Sequence, residues 1–220
     1  HTDCTEVSNR GDDFVETETL TPGTTNVTPV VEVCDNDVLV GVVINEILYN
    51  PSSSDSGHEW VEIYNSTAED VDVSGWTLQA GTSSFSSKGS FPSGTVLAAG
   101  EYLLVGEDEV EADLGRAPDL ISSLSLGNGG SSIDGVRLVD CANVVIDTVL
   151  YGDSVFVEEG WADDGSSNPT SFAPEVSDGQ AIGRIPNGSD SNLSGYDFQI
   201  MEFTSPWNAN DGERVCDGQN

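Results

Sequence analysis

The sequence predicts an all-β fold in which antiparallel sheets pack face to face as a sandwich. Short segments rich in β-branched and aromatic residues recur along the chain, and clusters of Gly, Pro, Asn, Asp and Ser separate them. The 24 glycines suit the many tight turns of such a fold. The one helix candidate, residues 107–114, is short and acidic, and we predict a loop there.

The strand segments follow one another along most of the chain. The longest, residues 38–49, is rich in Val and Ile and ends at the turn signal Asn50-Pro51. In residues 60–64, Val61 and Ile63 point to one face and the alternate residues to the other. Further strands are predicted at residues 75–78, 94–97, 102–105, 135–139, 144–151, 181–185 and 196–200.

The N-terminal residues 1–37 differ from the rest and predict an extended arm. They are rich in Thr, Asp, Glu and Pro and show no helical period. Within the arm, residues 27–33 (VTPVVEV) have the composition of an edge strand. We therefore divide the chain into the arm, a sandwich over residues 38–210 and a tail over residues 211–220.

The charge limits the partners of the protein. Six basic residues stand against 39 acidic ones, a net charge of −33. Nucleic-acid binding needs Lys and Arg to neutralise phosphates, so this class is excluded, and anionic membranes are disfavoured. No apolar run reaches the 18 residues that a spanning helix needs, so no membrane insertion is predicted. Adaptation to saline water and binding of Ca²⁺ both explain such an acidic surface.

The cysteines predict an oxidising, extracellular location. The chain starts at His1 without an initiator Met, as a mature, processed protein would. The cysteines form an even set without CxxC spacing, which favours disulfides over zinc or redox chemistry: Cys4, Cys34, Cys141 and Cys216. Our suggested pairing is Cys34–Cys141 with Cys4–Cys216, and interchain pairing through Cys4 or Cys216 is the alternative.

Eight short motifs occur in a defined order. They are residues 42–51 (VVINEILYNP), 59–65 (EWVEIYN), 71–78 (VDVSGWTL), 97–103 (LAAGEYL), 126–130 (LGNGG), 136–138 (VRL), 145–152 (VIDTVLYG) and 205–208 (SPWN). Together they resemble the lamin-tail domain, an immunoglobulin-like module of nuclear lamins and of many secreted bacterial and archaeal proteins. The resemblance implies an immunoglobulin-like sandwich that acts in binding or assembly, and it implies no reaction. Cys141 departs from the small or acidic residue expected at its turn, which suggests a cross-link.

Two groups of residues were considered for catalysis. Glu46 and Glu62 fall in adjacent predicted strands, and such a pair could hydrolyse glycosides at a suitable separation. A structural or surface role is the favoured interpretation. His58 lies in a polar loop without a GxSxG elbow or another group to orient a base, so we predict a solvated loop residue. The expectation is a protein that is not an enzyme.

The remaining candidates are a metal site, glycans and exposed tryptophans. Asp163 and Asp164, with Asp153 nearby, form the best candidate Ca²⁺ site, although no EF-hand pattern is present. Sequons begin at four asparagines, of which Asn65 is the least favoured because it abuts a strand: Asn26, Asn65, Asn187 and Asn192. We predict that Trp60 and Trp76 are core residues and place Trp161 on a loop surface.

The predicted function is that of a non-enzymatic extracellular structural protein. The arm invites pairing with the open sheet edge of a neighbouring copy, because edge strands carry unpaired backbone groups. Repeated head to tail, that contact gives a surface-associated filament. The alternatives are an arm that packs on its own domain, and a cell-surface adhesion module that recognises protein or glycan.

Overall fold

The computed structural model describes residues 41–82, 84–130, 133–152 and 171–210. The strands are β1 (Val42–Leu48), β2 (Trp60–Asn65), β3 (Val71–Asp72), β4 (Thr77–Gly81), β5 (Ser86–Ser90), β6 (Val96–Leu97), β7 (Tyr102–Gly106), β8 (Leu120–Ile121), β9 (Ile133–Val139), β10 (Val145–Gly152), β11 (Ala181–Arg184) and β12 (Phe198–Met201). Two short helices are present, α1 (Val110–Leu114) and α2 (Ser194–Asp197). None of the helices in these ranges is long and apolar enough to cross a membrane.

The strands form an immunoglobulin-like sandwich of two main sheets. The larger sheet has the order β12-β11-β1-β2-β7-β8, and the smaller has the order β10-β9-β4-β5. β3 and β6 make a separate two-stranded ribbon. All pairings are antiparallel except that of β7 with β8, which is parallel. The predicted fold class is confirmed.

Alternate side chains along the strands point inward and form the main core. Ile44 and Ile63, from the large sheet, pack in one apolar cluster with Leu78 and Leu138 from the small sheet, and all four are fully buried. Trp76 belongs to this cluster as well. A second apolar cluster of Trp60, Leu104 and Val110 lies outside the main core, with Trp207 packed against it. The core roles predicted for Trp60 and Trp76 are thus confirmed.

A β-bulge in β1 positions the polar residues described below. Ile44 pairs with Ile63 and Glu46 with Glu62, so Asn45 is an extra residue in β1. A bulge of this kind frees backbone groups from the ladder and turns the following side chains. Side chains from distant parts of the chain bind these freed groups, Asp147 and Arg184 at Ile44 and Asn210 at Asn45.

The elements differ from the sequence prediction at five places, one of which is the two-residue strand β3, absent from the predicted strands. Residues 107–114 are not all loop, because α1 forms between the buried Val110 and Gly115, which ends the helix with φ of 71°. The segment 196–200 begins as helix α2, and β12 starts only at Phe198. β5 was not predicted because its sequence, SSKGS, contains no apolar residue. β8 is only two residues long and gives no periodic signal.

Candidate functional site

Glu46 and Glu62 form a buried carboxyl pair on the large sheet. They are direct cross-strand partners in β1 and β2, as the strand alternation predicted. Both side chains are fully buried. Opposed residues of an antiparallel pair have their Cβ atoms about 4.5–5.5 Å apart, so two negative charges here would repel one another. A substrate cannot reach either carboxyl in this arrangement.

The chain segment that follows β12 covers the pair. The backbone N–H of Ser205 donates to both oxygens of Glu46 at 3.1 Å, and the Ser205 hydroxyl lies 2.7 Å from Glu46 Oε2. Two residues further on, the N–H of Trp207 donates to Glu62 Oε2. These contacts occur in the turn closed by Asn208 N and Ser205 O, 2.8 Å apart, within the SPWN motif. The two glutamates therefore anchor this segment on the sheet.

Three asparagines complete the arrangement. Asn45 Nδ2 donates to Glu62 Oε1 at 3.0 Å and to Asn187 Oδ1 at 3.1 Å. Asn187 Oδ1 also accepts the backbone N–H of Asn210 at 2.9 Å, and Asn210 Nδ2 donates to the Asn45 carbonyl at 2.8 Å. The donors that face the two carboxyls are thus all neutral groups. We call Glu46, Glu62, Asn45, Asn187, Ser205 and Asn210 the carboxyl-amide cluster.

Burial changes the ionisation of both glutamates. Desolvation raises the pKa of Glu46 to about 7, and the Ser205 hydrogen bonds oppose part of this shift. Desolvation likewise raises the pKa of Glu62 to about 8, opposed by the Asn45 hydrogen bond and increased by the nearby Glu46. Both groups consequently titrate around neutral pH, well above the ordinary range of a carboxyl.

The hydrogen-bond pattern indicates where the first proton is held. Ser205 Oγ lies 2.7 Å from Glu46 Oε2 and 2.7 Å from Asn210 Oδ1, but a hydroxyl has one proton to donate. If Glu46 is protonated, it donates to Ser205 Oγ, which in turn donates to Asn210 Oδ1. Glu62 differs, because each of its oxygens accepts a hydrogen bond from an N–H group. Such bonds favour the ionised form of the carboxyl. This pattern favours the proton on Glu46, whereas burial raises the pKa of Glu62 further, so the two interacting carboxyls titrate as a pair.

A second buried cluster lies between the sheets and contains a cation. Arg184 on β11 and Asp147 on β10 are almost fully buried, and Arg184 Nη2 contacts both Asp147 oxygens at 2.9 and 2.7 Å. Asp147 Oδ2 accepts the N–H of Ile44 at 2.7 Å, while Arg184 Nε donates to the Ile44 carbonyl at 2.8 Å. The ion pair thus satisfies both backbone groups of Ile44 next to the bulge.

The same arginine holds the loop between β11 and α2. Its Nη1 contacts Asp190 and Asp197, both at 3.1 Å, and donates to the Ser189 carbonyl at 2.9 Å. Burial lowers the pKa of Arg184, but Asp147, Asp190 and Asp197 together raise it above its ordinary value, so the guanidinium stays charged. Burial also raises the pKa of Asp147, and Arg184 opposes that shift. We call Arg184, Asp147, Asp190 and Asp197 the arginine cluster.

Further buried carboxyls fix the loop after β8. Glu107 accepts the N–H groups of Gly57 at 2.6 Å and Leu124 at 2.9 Å, and Glu59 accepts that of Leu126 at 2.9 Å. Desolvation raises the pKa of Glu59 to about 8. A cavity of about 270 Å³ adjoins Glu59 and Glu107. Across the ranges given above, no three His, Cys, Asp or Glu side chains are grouped to hold a metal ion.

His58 is paired rather than simply solvated. Its Nδ1 lies 2.6 Å from Asp113 Oδ2 of α1, and this hydrogen bond raises the pKa of the imidazole. Within the described part of the chain no serine hydroxyl hydrogen-bonds to the ring. His58 therefore links the loop before β2 to α1.

Several predicted site residues lie outside the described ranges. These are Cys4, Cys34, Cys216, Asn26, Asp153, Trp161, Asp163 and Asp164. Cys141 is described and lies half-buried in the turn between β9 and β10. Asn187 Nδ2 donates to the Tyr102 hydroxyl at 3.1 Å, a bond that a glycan on this nitrogen would break. Asn192 follows Ser191 in the loop that Arg184 holds, with φ of 58°.

Sequence reasoning missed the arginine cluster and the amide partners of Glu46. A signal for the first was available, since Arg184 and Asp147 are single charges inside otherwise apolar strand segments in a chain with only six basic residues. Asn187, Ser205 and Asn210 lie in polar turns whose composition is like that of many others in the chain. Asn187 was noted only as a sequon and Ser205 only within the SPWN motif, and neither pattern indicates a buried hydrogen-bond partner.

The fold and these clusters define an immunoglobulin-like module whose buried polar groups hold its own chain in place. The family model of the Lamin Tail Domain matches residues 39–153, and the chain therefore belongs to the lamin tail domain family. The match contains Glu46, Glu62 and Asp147. Arg184 and the segment over the carboxyl pair lie beyond it, although the motifs suggested a resemblance up to residue 210. No curated protein matches the chain.

Proposed function

We propose that this protein is a non-enzymatic, extracellular structural module that assembles with copies of itself through its N-terminal arm. The observation that supports a structural role is the inward orientation of its reactive side chains. Glu46 and Glu62, the best catalytic candidates, are fully buried and bound to Ser205, Trp207 and Asn45 of the same chain. Apolar side chains, by contrast, are exposed at Tyr196 and Ile200, as expected of a surface that other protein covers.

The arm supplies the strand for assembly. Residues 27–31 (VTPVV) carry no charge in a chain with 39 acidic residues. A β-prone, uncharged strand can add to a sheet edge through backbone hydrogen bonds without bringing further negative charge to an acidic surface. Head-to-tail addition of this kind does not close and produces filaments.

The extracellular location is supported by the four cysteines without CxxC spacing. We propose the disulfides Cys34–Cys141 and Cys4–Cys216. Peptide mapping of the unreduced protein tests this pairing, and a zinc ion or free thiols at these positions would contradict it. We also propose that the protein binds Ca²⁺. A melting temperature that EDTA leaves unchanged would contradict this.

Light scattering and negative-stain microscopy of the full chain test the assembly. We expect linear particles whose mass increases with protein concentration and with NaCl, because salt screens the repulsion between acidic copies. The full chain carrying Val30→Asp and Val31→Asp should remain monomeric, whereas Thr24→Asp with Thr25→Asp adds the same charge outside the strip and should still assemble. A monomeric wild-type chain in 0.5 M NaCl, or equal assembly of both variants, refutes the proposal.

A further inference from the structure

The sheets of the sandwich offer four edges, and their side chains differ in character. β5 is polar, and its Lys88 carbonyl accepts a hydrogen bond from Ser122. β8 is two residues long. β10 is engaged at Leu150, whose N–H donates to Ser194 Oγ and whose carbonyl accepts from Ala173 N. β12 is the remaining edge.

The outer side of β12 presents an open backbone. Ile185 N donates to Asp197 O, and the pairing continues with Ile182 opposite Ile200. Because hydrogen-bonded and non-hydrogen-bonded pairs alternate along an antiparallel ladder, the N–H and C=O of Ile200 point away from β11. No residue in the described ranges bonds to either group. A strand-shaped ligand would satisfy both.

Several exposed side chains at this edge are large and apolar, and they lie beside the exposed polar residues Gln199 and Glu202. β12 reads FQIM, and Ile200 is 43% exposed. Tyr196 before the strand is 79% exposed, and Phe203 after it is 53% exposed. Natural edge strands usually carry charges that prevent pairing with another chain, and β12 has none. An apolar edge of this kind in so acidic a protein indicates a surface that another strand covers.

A suitable strand occurs in the N-terminal arm, outside the described residues. Residues 27–31 carry no charge and include three Val. Nine residues separate this strip from Gly41, the first residue that the structure describes. Its Pro29 lacks an N–H, which is tolerated on the outer side of an added edge strand. An uncharged strip adds no charge repulsion beside Glu202, whereas the acidic segments elsewhere in the arm would add it.

We propose that the β12 edge, with Tyr196 and Ile200, is the docking surface for the strip 27–31 of a second copy of this chain. This inference rests on the proposed function and names the receiving surface. The arm strand would extend the large sheet by one strand, with the N–H and C=O of Ile200 bonded to it. Each copy then has one donor strip and one acceptor edge, which suffices for an open chain of subunits.

Substitutions at opposite edges of the large sheet test the inference on the full chain. Ile200→Glu adds a charge at β12, and Ile121→Glu adds the same charge at β8, where Ile121 is 56% exposed. We expect Ile200→Glu to abolish assembly in sedimentation velocity, and Ile121→Glu to assemble like the wild type. Tyr196→Ser serves as a second β12 variant should Ile200→Glu fail to fold, and it should weaken assembly at least tenfold.

Hydrogen exchange gives a readout at the edge itself. In wild-type protein at assembling concentrations, peptides covering residues 196–203 should gain protection, while those covering β8 should not. If Val30→Asp with Val31→Asp stops assembly but Ile200→Glu does not, the arm mediates assembly at another surface and this inference is wrong. If protection at β12 is independent of concentration, the strand comes from the same chain, which also overturns it. Assembly that is insensitive to the arm instead refutes the proposed function.

Discussion

The carboxyl-amide cluster and the arginine cluster lie on either side of the same bulge in β1, yet they neutralise buried carboxyls in different ways. Asp147 is compensated by the guanidinium of Arg184, which also bonds to the backbone of Ile44. Glu46 is bonded to the hydroxyl and the backbone N–H of Ser205, with no cation among its hydrogen-bond partners. A buried acid without a cation keeps its proton to a higher pH, so Glu46 titrates near neutrality.

The difference predicts separate consequences for stability. The arginine cluster should be intolerant of substitution, because loss of the cation leaves Asp147 and Asp197 buried and uncompensated. The carboxyl-amide cluster should tolerate a neutral replacement of Glu46 and should respond to pH. The predictions below test this contrast in order of decreasing effect.

Arg184→Met should have the largest effect. Removing one member of a buried ion pair typically lowers the free energy of unfolding by about 3–5 kcal/mol. Urea unfolding at pH 7 measures the change. The double variant Arg184→Met with Asp147→Leu removes both charges and should recover part of the loss. A single variant within about 1 kcal/mol of the wild type would show that Arg184 is not the compensating charge.

Glu46→Gln should stabilise the protein at pH 8. The Gln carbonyl can accept the N–H of Ser205, and its amide can donate to Ser205 Oγ, as a protonated Glu46 does. The shift from 4.5 to about 7 corresponds to about 3 kcal/mol, at about 1.36 kcal/mol per pKa unit. The gain should be largest above pH 7 and small at pH 4.5. Equal stability of variant and wild type at pH 8 would contradict the raised pKa.

The wild type itself should lose stability as the pH rises from about 4.5 to 8. Folded Glu46 and Glu62 hold protons in this window that the unfolded chain has released, so the folded state binds more protons and the unfolding free energy falls with pH. The contribution of both groups becomes constant only above about pH 9, because the pKa of folded Glu62 is about 8. Urea titrations at fixed ionic strength measure the slope, which Glu46→Gln should reduce.

Glu62→Gln should destabilise the protein at pH 5, an effect smaller than the gain from Glu46→Gln at pH 8 and opposite in sign. Both Glu62 oxygens accept N–H donors, from Asn45 and Trp207, so an amide in either orientation turns its NH₂ towards a donor. We expect a loss of about 1–3 kcal/mol, the usual effect of an unsatisfied buried group. Equal gains from the two Gln variants would mean that hydrogen-bond polarity does not distinguish the glutamates.

The sequence predicts those features of the two clusters that depend on residues close to one another in the chain. Alternation placed Glu46 and Glu62 in adjacent strands, and the residue types of β1 and β2 predicted a sandwich in which Trp60 is buried. The bulge at Asn45 was not predictable, because its cause is a set of bonds from side chains 103, 140 and 165 residues away. Secondary-structure propensity depends on a few neighbouring residues, so it cannot identify Arg184 or Asn210 as partners of β1.

His58→Asn should have the smallest effect and provides a control for the pH prediction. The His58–Asp113 hydrogen bond raises the pKa of the imidazole, so its contribution is complete below about 6.5 and is lost as the pH rises through the folded value. This window overlaps that of the buried glutamates. Asp113 is half exposed, so we expect a change below about 1 kcal/mol. The fall in stability between pH 5 and 8 should persist in the variant, and its disappearance would assign the pH dependence to His58 rather than to the carboxyl-amide cluster.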